Sequence, residues 1–154
     1  MPAAWSGQRV RINFGAVDRI ATVYVNGTRV GFHDGGYASF SFDVTDLLRL
    51  GANEVVVAVF DPSTGDGMLG KQSLKPGGIF YTPSSGIWQT VWLEPVTKAH
   101  ISRVDLTPDV PNHRLRVVVR GEHLDGLVVD AVASAGGKKV GVGSGVGEIG
   151  RAHV

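Results

Sequence analysis

Between Ile20 and Phe32 the chain reads IATVYV, then Asn26-Gly27, then TRVGF, and this stretch constrains the fold more than any other. An Asn-Gly pair between two such runs selects a two-residue type I′ turn, because both central positions need positive φ. The runs are therefore expected to pair as a hairpin. Arg9 to Phe14 alternates Val10, Ile12 and Phe14 with Arg9, Arg11 and Asn13, the period of a half-buried strand. Tyr37 to Phe42 alternates similarly, with Ala38, Phe40 and Phe42 on one face after a bend that Gly35-Gly36 permits. Val55 to Phe60 is continuously apolar, as expected of a strand buried on both faces. One helical turn is expected at Asp43 to Leu48, where capping residues precede a leucine pair and Gly51-Ala52-Asn53 breaks it.

With 22 glycines and 7 prolines in 154 residues, turns are frequent and few segments read as helix, so an all-β class is expected. An apolar content of 43% suffices to bury a core, and one full domain plus part of a second is the expected division. The 15 basic and 14 acidic residues are spread along the chain, a formal charge of +1. That balance leaves no electrostatic footprint for nucleic acid or an anionic membrane, and neither partner is expected. No cysteine is present, which excludes disulfides and thiolate metal sites and leaves the compartment undetermined. No signal peptide or membrane-spanning apolar run is visible, so a cytoplasmic location is the default expectation.

Asp61 to Gly86 carries Pro62, Pro76, Pro83 and six glycines without a convincing period. A loop this long inside a domain is usually functional or disordered. It leads into FYTPSSGIWQTVWLE, Phe80 to Glu94, in which Ile87, Gln89, Val91 and Leu93 alternate with Trp88, Thr90 and Trp92. That run reads as a strand covered on both sides, with aromatic rings near its entrance.

A strand opening Gly-Ile-Trp and closing Val-Trp-Leu-Glu, preceded in order by VRINF, ATVYVNG, YASFSFDVTDLL and NEVVVAVFDP, resembles the non-catalytic N-terminal sandwich of glycoside hydrolase family 2, the β-galactosidases and β-glucuronidases. The resemblance covers residues 5 to 96. It implies a jelly roll of two antiparallel sheets, galactose-binding-like, over residues 1–96. In the family an immunoglobulin-like domain follows. Ile101 to Leu106, Leu115 to Val119 and Leu127 to Ala133 resemble its first strands, so residues 101–147 are expected to form a partial immunoglobulin-like sandwich, short of the seven strands of a complete one. Gly141 to Gly147 lacks the Lys-Ser/Thr ending of a phosphate loop and is expected as linker.

Relatives carry further strands ahead of Pro2-Ala3-Ala4-Trp5, so the start is expected to be internal and the chain a truncated fragment. Glu148 to Val154 shows no strand or helix logic and resembles a translated sequencing adapter; residues 148–154 are expected to be an artefactual tail. A chain lacking its first strands is expected to expose an unpaired edge and to form strand-swapped homo-oligomers.

Retaining glycoside hydrolysis needs two carboxyls about 5 to 5.5 Å apart at one sugar. The family resemblance places both on a (β/α)₈ barrel of about 250 residues, which this chain does not contain. Its carboxylates, among them Asp18, Asp34, Asp46, Asp61, Asp66 and Asp125, read as turn and solvent residues. No catalytic residue is expected. In the family the sandwich lends the barrel an aspartate six residues before the glycine of the Gly-Ile motif and an arginine three residues after it; these positions are Phe80 and Gln89 here, so neither specificity carries over. The expected sugar contacts are Lys71, Gln72, Phe80, Tyr81 and Trp88, because rings stack on sugar CH groups and Lys or Gln bonds hydroxyls. Trp92 is expected in the core or against the following domain.

No cofactor is expected. His33, His100, His113, His123 and His153 are scattered without ligand spacing, which leaves no expected transition-metal site. Asp61 and Asp66 alone make a weak calcium case. Asn26-Gly27-Thr28 satisfies the glycosylation sequon, but a tight turn accounts for it. The expected function is therefore a sugar-binding scaffold for a hydrolase of β-glycosides whose barrel lies elsewhere. The alternatives are a free-standing carbohydrate-binding module and a protein-interaction sandwich presenting Trp88 and Tyr81.

Overall fold

The computed structural model describes residues 2–64 and 69–146, and 150–153 as backbone. Asp66, Gly147, Glu148, Ile149 and Val154, on which parts of the calcium, linker and tail expectations rest, lie outside the described residues. The chain forms two compact units, Met1–Pro95 and Val96–Val154, both built of strands and short 3-10 turns among the described residues.

The first unit contains β1 (Arg9–Phe14), β2 (Val17–Asp18), β3 (Ile20–Val25), β4 (Thr28–Asp34), β5 (Phe40–Asp43), β6 (Val55–Phe60), β7 (Gly86–Ile87) and β8, which begins at Val91 and runs to Val96. These pair as β5-β1-β8, β4-β3-β6 and the short ribbon β2-β7, all antiparallel where the register is given. The Asn26-Gly27 turn forms as expected, with φ of 50° and 82°, and sets Val25 opposite Thr28. β1 alternates from Arg9 to Ile12, but Asn13, expected on the outward face, is also buried, where its Nδ2 donates to Glu94 Oε2 at 3.4 Å. Val10, Ile12 and Phe14 join Val17, Ala21, Val23, Val25 and Val44 in one buried cluster, so the inward faces of β1 and β3 make the core. Gly31 on β4 is needed there: a Cβ would run into the ring of Phe42 on β5, which lies across it.

The expected helical turn is a 3-10 turn at Thr45–Leu47. Thr45 ties it to β1, accepting the Val10 N–H at 2.8 Å while donating to Asp43 Oδ1 at 2.6 Å. Burial pushes the Asp43 carboxyl up, but the bonds from Arg9 and Thr45 outweigh it and hold the group below the ordinary carboxylate value. A depressed folded pKa stabilises the fold above the unfolded value of about 3.9 and loses that contribution as pH falls through the folded one. Asp43→Asn is therefore expected to flatten the fall in urea midpoint between about pH 6 and about pH 3. An equally steep fall in the variant would refute this account.

Three expectations for this unit are corrected. β6 is not buried on both faces: among the described residues it pairs only with β3, and Val55, Val56, Val59 and Phe60 are exposed. The tryptophan run is not one strand covered on both sides. It splits into β7 and β8 around a bend at Trp88 to Thr90, which wraps Gly15-Ala16 through Gly15 N–H to Thr90 O at 2.8 Å and two N–H groups to Ala16 O. Trp88 and Trp92 are each about half exposed. Tyr37 to Ser39 precede the strand rather than belonging to it.

The second unit contains β9 (His100–Asp109), β10 (Arg114–Glu122), β11 (Val128–Ala135), β12 (Lys138–Val146) and β13 (Gly150–His153), paired as β13-β10-β9 and as the hairpin β11-β12. The three expected strands are present and longer than expected. Gly141 to Val146 is strand, not linker. Val140, Val142, Ser144 and Val146 alternate with glycines, and β11 supplies the pairing that glycine's weak strand preference does not. Gly136-Gly137 closes that hairpin with φ of 55° and 74°. The backbone of Gly150–His153, where no strand was expected, pairs antiparallel with β10, with Val117 opposite Ala152.

Candidate functional site

A cavity of about 360 Å³ opens at the β2-β7 end of the first unit, lined by Asp18, Tyr37, Gln72, Ser84, Ser85, Gly86, Ile87 and Trp88. Its floor is set by backbone pairing: Asp18 lies opposite Gly86 and Val17 opposite Ile87. Gly36 holds two walls together. Its carbonyl accepts the Trp88 indole N–H at 2.7 Å, and a Cβ on it would come within 2.5 Å of Asp18 Oδ1. Tyr37 meets Trp88 edge to face, with ring centroids 5.6 Å apart. The indole is thus fixed by one hydrogen bond and one aromatic contact while about half of the residue stays open to a ligand.

The long loop supplies the opposite wall. Gln72 Oε1 accepts the Ser84 N–H at 2.7 Å, which fastens the loop to the segment before β7 and leaves the Gln72 amide nitrogen as a donor. Ser85 Oγ donates to Asp61 Oδ2 at 2.6 Å. Burial pushes the Asp18 carboxyl up, the charge of Asp61 adds to the rise, and Arg19 opposes it.

Of the five residues named from the sequence as sugar contacts, the structure brings Gln72 and Trp88 together in this cavity. Lys71, Phe80 and Tyr81 serve the loop through their backbones. Lys71 O accepts the Tyr81 N–H at 2.8 Å, Tyr81 O accepts the Ser73 N–H at 2.9 Å, and the Phe80 N–H reaches Gly77 O at 3.1 Å. The Phe80 and Tyr81 rings are exposed outside the cavity lining. Asp18, read from the sequence as a turn residue, sits in β2 and lines the cavity; its signal was an acidic group between the apolar pairs Ala16-Val17 and Ile20-Ala21. Tyr37, beside the Gly-Gly bend, was the other missed wall. His33 stacks on Phe40 at 4.3 Å, and no group of three metal-ligating side chains occurs among the described residues.

A second cavity, of about 780 Å³, shares Ile87 and Trp88 and adds Gly15, Ser39, Gln89, Thr90 and Trp92. Gly15 lets the Gln89 side chain lie against the end of β1, since a Cβ there would stand 2.7 Å from Gln89 Cβ.

The chain is 36% identical over 107 residues to a β-galactosidase of Thermoanaerobacter pseudethanolicus, an alignment covering 68% of this chain and 14% of that protein. A β-glucuronidase of Formosa agariphila is 29% identical over 103 residues, 66% of this chain and 10% of that one. The chain thus spans about one seventh or less of these relatives' length. Its fold superposes on a β-glucuronidase from Ruminococcus gnavus solved with D-glucaro 1,5-lactone at a TM-score of 0.69 and 20% identity, covering 100% of this chain and 28% of that one. Residues 1–94 match the family described as glycosyl hydrolases family 2, sugar binding domain. With that domain present as a β-sandwich carrying the Asp18, Gln72 and Trp88 cavity at its β2-β7 end, the chain belongs to glycosyl hydrolase family 2.

Proposed function

We propose that the cavity between Asp18, Tyr37, Gln72 and Trp88 borders the sugar site of a hydrolase of β-glycosides of the β-galactosidase or β-glucuronidase type. This chain contributes binding contacts and bracing, and the catalytic carboxyls come from a barrel outside it. The observation that carries the reading is the joining of Gln72 and Trp88, 16 positions apart, with a carboxylate and a second ring at one opening. An aromatic face flanked by amide, hydroxyl and carboxylate groups matches a sugar's alternation of CH and OH surfaces. Among the described residues only one carboxyl lines the cavity, and Asp61 is tied to Ser85, which supports binding rather than two-carboxyl hydrolysis here. The second unit fits the reading as the opening strands of an immunoglobulin-like domain. The half-exposed strands β6 and β8 suit pairing with a second, strand-exchanged copy.

Titrating the 154-residue chain with methyl β-galactoside and methyl β-glucoside, followed by amide and indole NMR shifts, tests the sugar site. Saturable shifts confined to the cavity are expected at Kd in the range of about 1–30 mM, a binding energy of roughly 2–4 kcal/mol, and Trp88→Ala and Gln72→Ala should each abolish them. Shifts absent from the cavity would overturn the reading. Micromolar affinity for a longer glycan would favour the free-standing binding module, and sedimentation of the same sample reports the exchanged copy.

A further inference from the structure

The cavity presents charge of one sign. Among the described residues Asp18 is its only lining carboxylate, and no lysine or arginine lines it. The charge of Asp61 reaches Asp18, and Asp61 Oδ2 accepts the Ser85 Oγ–H at 2.6 Å, which commits that hydroxyl's proton. Arg19, the cation whose charge reaches Asp18, is drawn to Asp34, with Nε 3.2 Å from Oδ1. Lys71, one residue from Gln72, does not line the opening. A sugar hydroxyl or ammonium can donate to Asp18, whereas a sugar carboxylate has no proton to give and meets the Asp18 charge, reinforced by Asp61, with no lysine or arginine among the described residues of the lining to pair with.

We propose that this cavity selects a sugar without a carboxylate, a neutral hexose or a hexosamine, and that Asp18 and Asp61 turn a uronate away. The proposal rests on the reading of the cavity as a sugar subsite. It concerns the preference of this cavity alone.

Matched pairs differing only at C6 test it: methyl β-galactoside against methyl β-galacturonide, and methyl β-glucoside against methyl β-glucuronide. Each is titrated into the 154-residue chain at pH 7 and low salt, with the Trp88 indole and Gly36 amide shifts as readout. The uronide of each pair is expected to bind about tenfold more weakly, from one like charge at close range in a partly solvated site. Raising salt to about 0.5 M should narrow that gap, since the repulsion is screened. Asp18→Asn should narrow it to about threefold or less, by strengthening the uronide while weakening the neutral sugar. A uronide binding as tightly as its neutral partner overturns the charge argument and leaves the sugar site standing. A gap unmoved by both salt and Asp18→Asn does the same. If no sugar of either pair shifts the cavity signals, the sugar-site reading fails and this inference falls with it.

Discussion

Phe14→Ala is expected to lower the unfolding free energy of the first unit by about 3–5 kcal/mol, the range for emptying a buried aromatic site. Phe14 is fully buried at the centre of the cluster that joins β1 to β3. Its ring stacks on Phe40 with centroids 4.8 Å apart, and Phe40 in turn stacks on His33 and meets Phe42 edge-on. Removing the Phe14 ring therefore opens a gap beside Phe40 and takes away one of the three rings that Phe40 packs against, and paired strands cannot close inward without breaking ladder bonds. A small domain holds only about 5–15 kcal/mol in total. The variant should stand near the threshold of folding, read as a large fall in urea midpoint at unchanged slope. A loss under about 1 kcal/mol would show that the core is not organised around this ring.

Replacing Asn26 should cost nearly as much, for a different reason. Its Nδ2 donates to Leu47 O and to Asn53 Oδ1, both at 2.8 Å, and its Oδ1 accepts the Glu54 N–H at 3.0 Å. Asn53 in turn accepts the Arg49 N–H at 2.8 Å and donates to Arg49 O and Gly51 O, so two asparagines lock the β3-β4 turn to the connection entering β6. Asn26 also holds φ at 50°. Asn26→Ala loses the three side-chain bonds and places Ala in the left-handed region, an expected loss of about 2–4 kcal/mol. Asn26→Gly loses the bonds but not the backbone freedom, and should be milder by about 1 kcal/mol. Thermal melts that ranked Ala at or above Gly would show that the turn conformation contributes nothing. The same bonds explain why the sequon reads as structure: a glycan on Nδ2 would take its place at Leu47 and Asn53.

The strands legible in the sequence were those whose alternation or turn chemistry is local. β1, the Asn26-Gly27 hairpin and the turn at Thr45 follow from residues at most a few positions apart. The glycine-rich β12 was missed because Val140, Val142 and Val146 carry its pattern while the glycines between them read as linker, and only the pairing with β11 makes a strand of it. Of the cavity, Trp88 and Gln72 were legible as a ring and an amide in a loop of functional length. Asp18 was not, because its position depends on a pairing with Gly86 across 68 residues.

The amino-acid sequence by itself determined the all-β class, the family and the inward face of the first core strands, since periodicity, turn residues and motif order are properties of neighbouring positions. Tertiary structure alone decided that Val55 to Phe60 is an edge, that the tryptophan run bends at Gln89, and which side chains share an opening. Those depend on which strand finds which partner, and hydrogen bonds between distant segments set that choice, with no signature in local order.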